Sequence, residues 1–201
     1  MPKKKENSRG YSTRKVNTRE IRQRFLIVCE GEKTEPNYFR SFRVPKDVIQ
    51  IDIKGVGENP SKLVESAKEL NQQEDYDRVW CVFERDNWPA QDFNNAIKNA
   101  EEQNFKVAYS NEAFELWYVL HFEFLNTAIP RTDYCHKLNS LLGHKYQKNS
   151  GQIYDELIDK QGLAIKNSQK LLQQYDRQNP VNDNPSTTVH LLVEELNKFI
   201  H

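Results

Sequence analysis

Three acidic residues stand where two short apolar runs end. Glu30 follows FLIVC at 25–29, and Glu84 and Asp86 follow VWCVF at 79–83. Carboxylates brought together from two such ends repel one another, by about 4 kcal/mol per pair at ~4 Å and an effective dielectric near 20. A divalent cation or a raised pKa relieves that repulsion. Magnesium takes one or two carboxylates and keeps several waters, which leaves room for a phosphodiester. Two such ions could activate an attacking water and stabilise a leaving oxygen. The chemistry expected of Glu30, Glu84 and Asp86 is therefore a magnesium or manganese site. The competing reading of any one of them is a solvated acid at a strand end.

The elements that must position these acids follow from the same runs. Both are short, rich in β-branched and aromatic residues, and apolar on both faces, which suits central strands of a parallel sheet covered by helices. The carboxyl ends of such strands form the ligand crevice. Side-chain alternation would aim Glu84 and Asp86 the same way. Further strands are expected at 48–53 and 105–109. Between them lie helix signals beginning near Pro36, at Asn59-Pro60 with Leu63, Val64, Ala67 and Leu70 on one stripe, and over 92–103. Strand and helix in alternation argue an α/β fold: a parallel sheet of about four strands with right-handed crossovers and helices on its faces.

From Asn111 the signals are helical. Phe114, Trp117, Tyr118 and His121 share a stripe, a polar linker spans 143–151, and helices are expected over 152–174 and 185–199. The resulting division is a basic arm at 1–24, an α/β core at 25–125 and a helical region at 126–201 that packs on the core.

Several residues could assist the acids. Gly31 permits a sharp exit from the strand and close approach of a ligand. The helix starting near Glu35 would offer free N–H groups to a phosphate, with Lys33 and Thr34 beside it. Glu115 is either a solvated charge or a partly buried acid aimed at the site. His121 reads as a core histidine, and Trp88 as a base-stacking residue or one that packs under its own loop.

The 201 residues carry no net charge, 37% hydrophobic residues and 22 aromatics, enough for one packed domain. No apolar run approaches the ~18 residues of a membrane span, and no signal-peptide core follows the start. Three cysteines without metal-ligand spacing suit a reduced, cytoplasmic setting. The neutral total hides an asymmetry: residues 1–24 hold nine Lys/Arg and two Glu, a surplus of +7 balanced by the rest of the chain. Such an arm suits phosphate contacts with DNA or RNA, or serves only as a solubilising tail.

The segment Cys29-Glu30-Gly31-Glu32-Lys33-Thr34-Glu35-Pro36-Asn37-Tyr38-Phe39 closely resembles the opening of the RloB family. So do Val82-Phe83-Glu84-Arg85-Asp86, Tyr109-Ser110-Asn111, Phe114-Glu115-Leu116-Trp117 with His121-Phe122, and Asn184-Pro185-Ser186-Thr187. The resemblance runs in order from about residue 24 to the C-terminus. It implies a TOPRIM-like fold and a metal-dependent nuclease in bacterial abortive defence against phage. Separately, the helical C-terminal half could dock a defence-system partner protein or a second copy of the chain. On the resemblance Glu30 matches the first TOPRIM acid, and Glu84 and Asp86 the later acidic pair. Glu35 falls where related nucleases carry a second acid, Glu115 is a further catalytic candidate, and Lys33, Thr34 and Arg85 are substrate-binding candidates. Members of the family usually read Asp-Arg-Asp-Asp-His where this chain has Glu84-Arg85-Asp86-Asn87-Trp88. The longer Glu84 arm, by about 1.5 Å, and the changes at Asn87 and Trp88 open an alternative: a degenerate site that binds nucleic acid or nucleotide without cutting it.

Overall fold

The computed structural model describes residues 23–200; the basic arm expected at 1–24 lies almost wholly outside them. The first strand, β1 (Gln23–Cys29), leads through the turn at Glu30 and Gly31 into helix α1 (Thr34–Arg40) and strand β2 (Ile49–Gly55). Helix α2 (Pro60–Gln73) follows. Asn59 caps it by accepting the Lys62 N–H at 2.9 Å, with Pro60 in the first turn where its missing N–H costs nothing. Strand β3 (Arg78–Glu84), helix α3 (Ala90–Glu102) and strand β4 (Lys106–Asn111) complete the alternating half.

The strands form one sheet in the order β2-β1-β3-β4, extended by a fifth. The first four are parallel, with Cys29 opposite both Gly55 and Val82, and Glu84 opposite Ser110. Because the chain steps from β1 out to β2 and then back across to β3, the sheet reverses its winding between β1 and β3. In open parallel sheets that reversal leaves a crevice at the carboxyl edge. Glu30 and Glu84 stand on its two sides.

Alternation along the strands divides the core. Leu26, Val28, Cys81 and Phe83 pack beneath α2 and α3 with Leu63, Ala67 and Phe93. Phe25, Ile27, Cys29, Trp80 and Val82 face a larger, aromatic layer that includes α1 and the helical region. That region comprises α4 (Glu115–Val119), α5 (Arg131–Leu142), α6 (Ile153–Leu157), a 3-10 turn (Ile158–Lys160), α7 (Gln161–Leu172) and α8 (Val189–Asn197). Tyr38 and Trp117 stand edge to face near its centre, 6.5 Å between centroids. Cys29, Cys81 and Cys135 are all free thiols.

Three features differ from the sequence reading. Ser186 and Thr187 form a fifth strand, β5, antiparallel to β4, rather than the start of a helix. The Thr187 hydroxyl donates to Tyr109 O at 3.0 Å, and the Tyr109 N–H donates to the Thr188 hydroxyl at 2.9 Å, so these side chains extend the ladder beyond two residues. The helix expected over 152–174 is broken at the 3-10 turn. The aromatic stripe from Phe114 to His121 belongs to a helix of only five residues that ends in turns.

Candidate active site

Each acid is fixed by a different local device. The Glu30 N–H continues the ladder to Val82 O at 2.8 Å. Its carboxylate then bridges to the neighbouring strand: Oε2 accepts the Glu84 N–H at 2.8 Å, and Oε1 accepts Trp88 Nε1–H at 2.6 Å. Glu84 is 6% exposed; Oε1 accepts the Phe114 N–H at 2.6 Å, and Oε2 lies 2.7 Å from Nη2 of Arg131. Asp86 lies beyond the strand with φ +34°, a backbone region that Asp tolerates better than most residues. Its N–H donates to Glu112 O at 3.2 Å, and its Oδ2 lies 2.6 Å from Arg131 Nη1. Glu84 and Asp86 therefore share one guanidinium, but Asp86 lies past the end of β3, so a left-handed residue and an arginine fork bring them together rather than strand alternation.

Burial dominates the electrostatics. Burial pushes the Glu30 carboxyl up to about 7, against the two hydrogen bonds that favour its charged form, with Glu84 and Asp86 pushing further. Glu84 rises to about 8, again through burial first and then through Glu35, while Arg131 pulls it down. Glu35 is raised by burial, with Glu30 and Glu115 adding to it. Glu115 is 2% exposed, which answers the choice left open by the sequence: it is a buried acid. Tyr146 OH donates to its Oε1 at 3.4 Å, and Lys148 Nζ lies 3.5 Å from the same atom.

Glu30, Lys33, Glu35, Glu84, Arg131 and Lys148 line a cleft of about 470 Å³; Asp86 and Glu115 are not in its lining and meet it only through Arg131 and Lys148. Five glutamates line it against two lysines and one arginine, so its walls are net acidic. Thr34 is at the rim, its hydroxyl donating to Asn149 Oδ1 at 2.8 Å. The Glu35 carboxylate folds back into the turn ahead of α1 and takes the Gly31 N–H at 3.2 Å, which sets an acid where a phosphate was expected to approach. Gly31 is required for that fold: a Cβ there would collide with the Glu35 carboxylate. Arg85 does not line the cleft. Its guanidinium braces the turn through Asp86 O, at 3.2 Å, and Trp88 O. Trp88 is half-buried, held by its bond to Glu30. His121 is fully buried with Nδ1 2.8 Å from Trp117 O, a core histidine whose pKa burial lowers to about 4.

Sequence reasoning named Lys33, which lines the cleft, but missed the two cations that arrive from the helical region, Arg131 and Lys148. Arg131, Tyr146, Lys148 and Asn149 all come from the helical region and its polar linker. Arg131 carried one signal: a basic residue directly after Pro130, in the first turn of a helix whose dipole disfavours it.

A family model described as RloB-like protein matches residues 25–196. The chain belongs to the RloB family. The RloB match begins in β1 and ends in α8, so it contains all five acids and the cations that reach them from the helical region, while the whole basic arm precedes it. Neither the curated proteins nor the solved structures contained a match to this RloB-like chain.

The carboxylates fit a divalent cation by their donor chemistry. A carboxylate offers about four lone-pair directions; Glu30 uses one on each oxygen, and Asp86 Oδ1 is buried with no hydrogen-bond partner. Among the described residues no trio of His, Cys, Asp or Glu is already drawn together as a metal-holding group. Between Glu84 and Asp86 stands Arg131.

Proposed function

We propose that this RloB-like protein is a magnesium- or manganese-dependent phosphodiesterase that cleaves nucleic acid, acting in bacterial defence against phage. The observation that carries this reading is the placement of Glu30 and Glu84 on either side of the winding reversal, at the mouth of an acidic cleft. Their carboxyl groups are raised to about 7 and about 8, so they ionise fully at neutral pH only with added positive charge. Glu30, Glu84 and Asp86 would hold the ion, which when bound would activate water and stabilise the leaving oxygen. Lys33 and Lys148 give the acidic walls two cations for a substrate phosphate. Glu115 fixes Lys148 at the cleft, and Glu35 and Gly31 set the shape of the turn that carries Glu30. The RloB resemblance supports the defence role. The surplus of basic residues at 1–24 supports a polynucleotide substrate over a small one.

The test is a cleavage panel at low salt with single- and double-stranded DNA, RNA, tRNA and cyclic oligonucleotides, in magnesium, manganese or EDTA. Metal-dependent cleavage that disappears in Asp86→Asn, with the variant still folded, is the expected result. Equal cleavage by wild type and variant would sink the site assignment.

A second reading, a binding module without catalysis, draws on two contacts: Trp88 clamps Glu30, and Arg131 already pairs with both Glu84 and Asp86. Nucleic-acid binding that survives EDTA, with no cleavage of any substrate, would favour it.

A further inference from the structure

Arg131 is poorly placed to serve its own helix. As the first residue of α5 it adds a cation at the end where the helix dipole is already positive. What the position gives is reach. One guanidinium spans two carboxylates, with Nη2 2.7 Å from Glu84 Oε2 and Nη1 2.6 Å from Asp86 Oδ2. The match is incomplete, because the second oxygen of Asp86, Oδ1, is buried without a hydrogen-bond partner. An arginine fork matched to a single carboxylate makes two parallel bonds and leaves no such orphan.

We infer that Arg131 is the resident counter-ion of the acidic site: its guanidinium holds the place between Glu84 and Asp86 until a divalent cation takes it. The inference rests on the reading that these acids bind a metal. Charge supports the exchange. Arg131 brings one positive charge to two carboxylates, with Glu30 bonded to the Glu84 backbone beside them, whereas a divalent ion brings two. Mobility supports it as well. The Arg131 side chain is 32% exposed, while α5 is anchored independently by the fully buried Tyr134 and Leu138 and by the Lys137–Glu123 ion pair at 2.5 Å. The guanidinium can therefore rotate away without moving the helix. Cation and arginine compete for one pair of carboxylates, so each weakens the other's hold by the same factor.

The test is Mn2+ binding by calorimetry, with thermal unfolding in EDTA and in saturating Mn2+, on the full chain as wild type, Arg131→Gln, Arg131→Lys and Asp86→Asn. Arg131→Gln should bind Mn2+ about tenfold more tightly than wild type, within the usual range for coupled sites. Its Tm should fall in EDTA and recover to the wild-type value in Mn2+. Arg131→Lys, which keeps the charge but cannot span both acids, should fall between the two in affinity, and it decides the matter should Arg131→Gln fail to fold in EDTA. Affinity unchanged or weakened in these variants, or a Tm loss equal with and without Mn2+, overturns the inference and makes Arg131 a structural partner. If wild type binds Mn2+ through Asp86 but neither Arg131 variant binds it more tightly, the inference fails and the metal reading stands. If neither wild type nor the Arg131 variants bind Mn2+, both fail.

Discussion

Two buried glutamates at opposite ends of this sheet, one of them on a helix packed against it, meet their counter-charges in opposite proportions. Glu195, on α8, has a side chain 11% exposed and two cations to itself: Arg78 at 3.4 Å and Lys106 in direct contact. Both cations come from the amino ends of β3 and β4, and Lys106 also lies over the Trp80 ring at 5.2 Å. At the carboxyl end of β3 the ratio inverts. Glu84 shares a single arginine with Asp86, and Glu30, Glu35 and Glu115 all lie close enough to raise the pKa of one or more of their neighbours. An acid surrounded by cations fastens a helix to a sheet. Acids that outnumber their cations leave a charge deficit, and on the proposed reading a divalent cation from outside the chain fills it.

The sharpest way to break this comparison is to neutralise one acid at each place. Asp86→Asn should lower cleavage by about 10³-fold or more, on the scale of losing one transition-state electrostatic partner, with Tm in EDTA unchanged or raised because repulsion is relieved. A fall in Tm with cleavage intact would mean that the cluster is structural after all.

The next effect is on pH. Glu30 and Glu84 have folded-state values of about 7 and about 8, above the ordinary 4.5, so the folded chain binds more protons than the unfolded one between these limits. Their contribution to stability is present below about pH 4.5 and is lost as pH rises through 7 to 8. The loss should be on the order of 3 to 5 kcal/mol for each group, read from denaturant unfolding in EDTA. Manganese should restore stability most at the alkaline end. A flat profile between pH 5 and 8 would refute the charge deficit.

Glu195→Gln should cost only about 1 kcal/mol, since both of its partners are half exposed, and should leave cleavage untouched. The smallest effect is expected of Trp88→Phe, which removes the donor to Glu30 Oε1. Because that bond favours the charged carboxylate, the Glu30 titration should move upward, seen by NMR of the labelled side chain. A downward shift would contradict the geometry.

The parts of this arrangement that were legible in the sequence are those fixed by local periodicity. The runs at 25–29 and 79–83 announced central parallel strands, and the acids that follow them announced the edge they share. Glu115 was legible only as a choice, because whether it is buried depends on what the helical region lays over it. Arg131 and Lys148 were illegible for a related reason. Their partners lie 47 and 33 residues away along the chain, and no local pattern encodes such a meeting. Strand β5 escaped because two residues cannot display a period, and Asn184-Pro185-Ser186 is equally good grammar for starting a helix.

That short strand has a consequence for how the chain is made. Thr187 closes on Tyr109 across 78 residues, so while the ribosome is still adding the helical region, β4 stands as the open edge of the sheet. Val107 and Tyr109, whose backbone groups Thr187 and Thr188 meet in the finished fold, then present them unpaired to any neighbour, the usual template for edge-to-edge aggregation. A message truncated before Ser186 would leave that edge permanently bare. Such products should accumulate as insoluble protein rather than as a folded core that lacks its last helix.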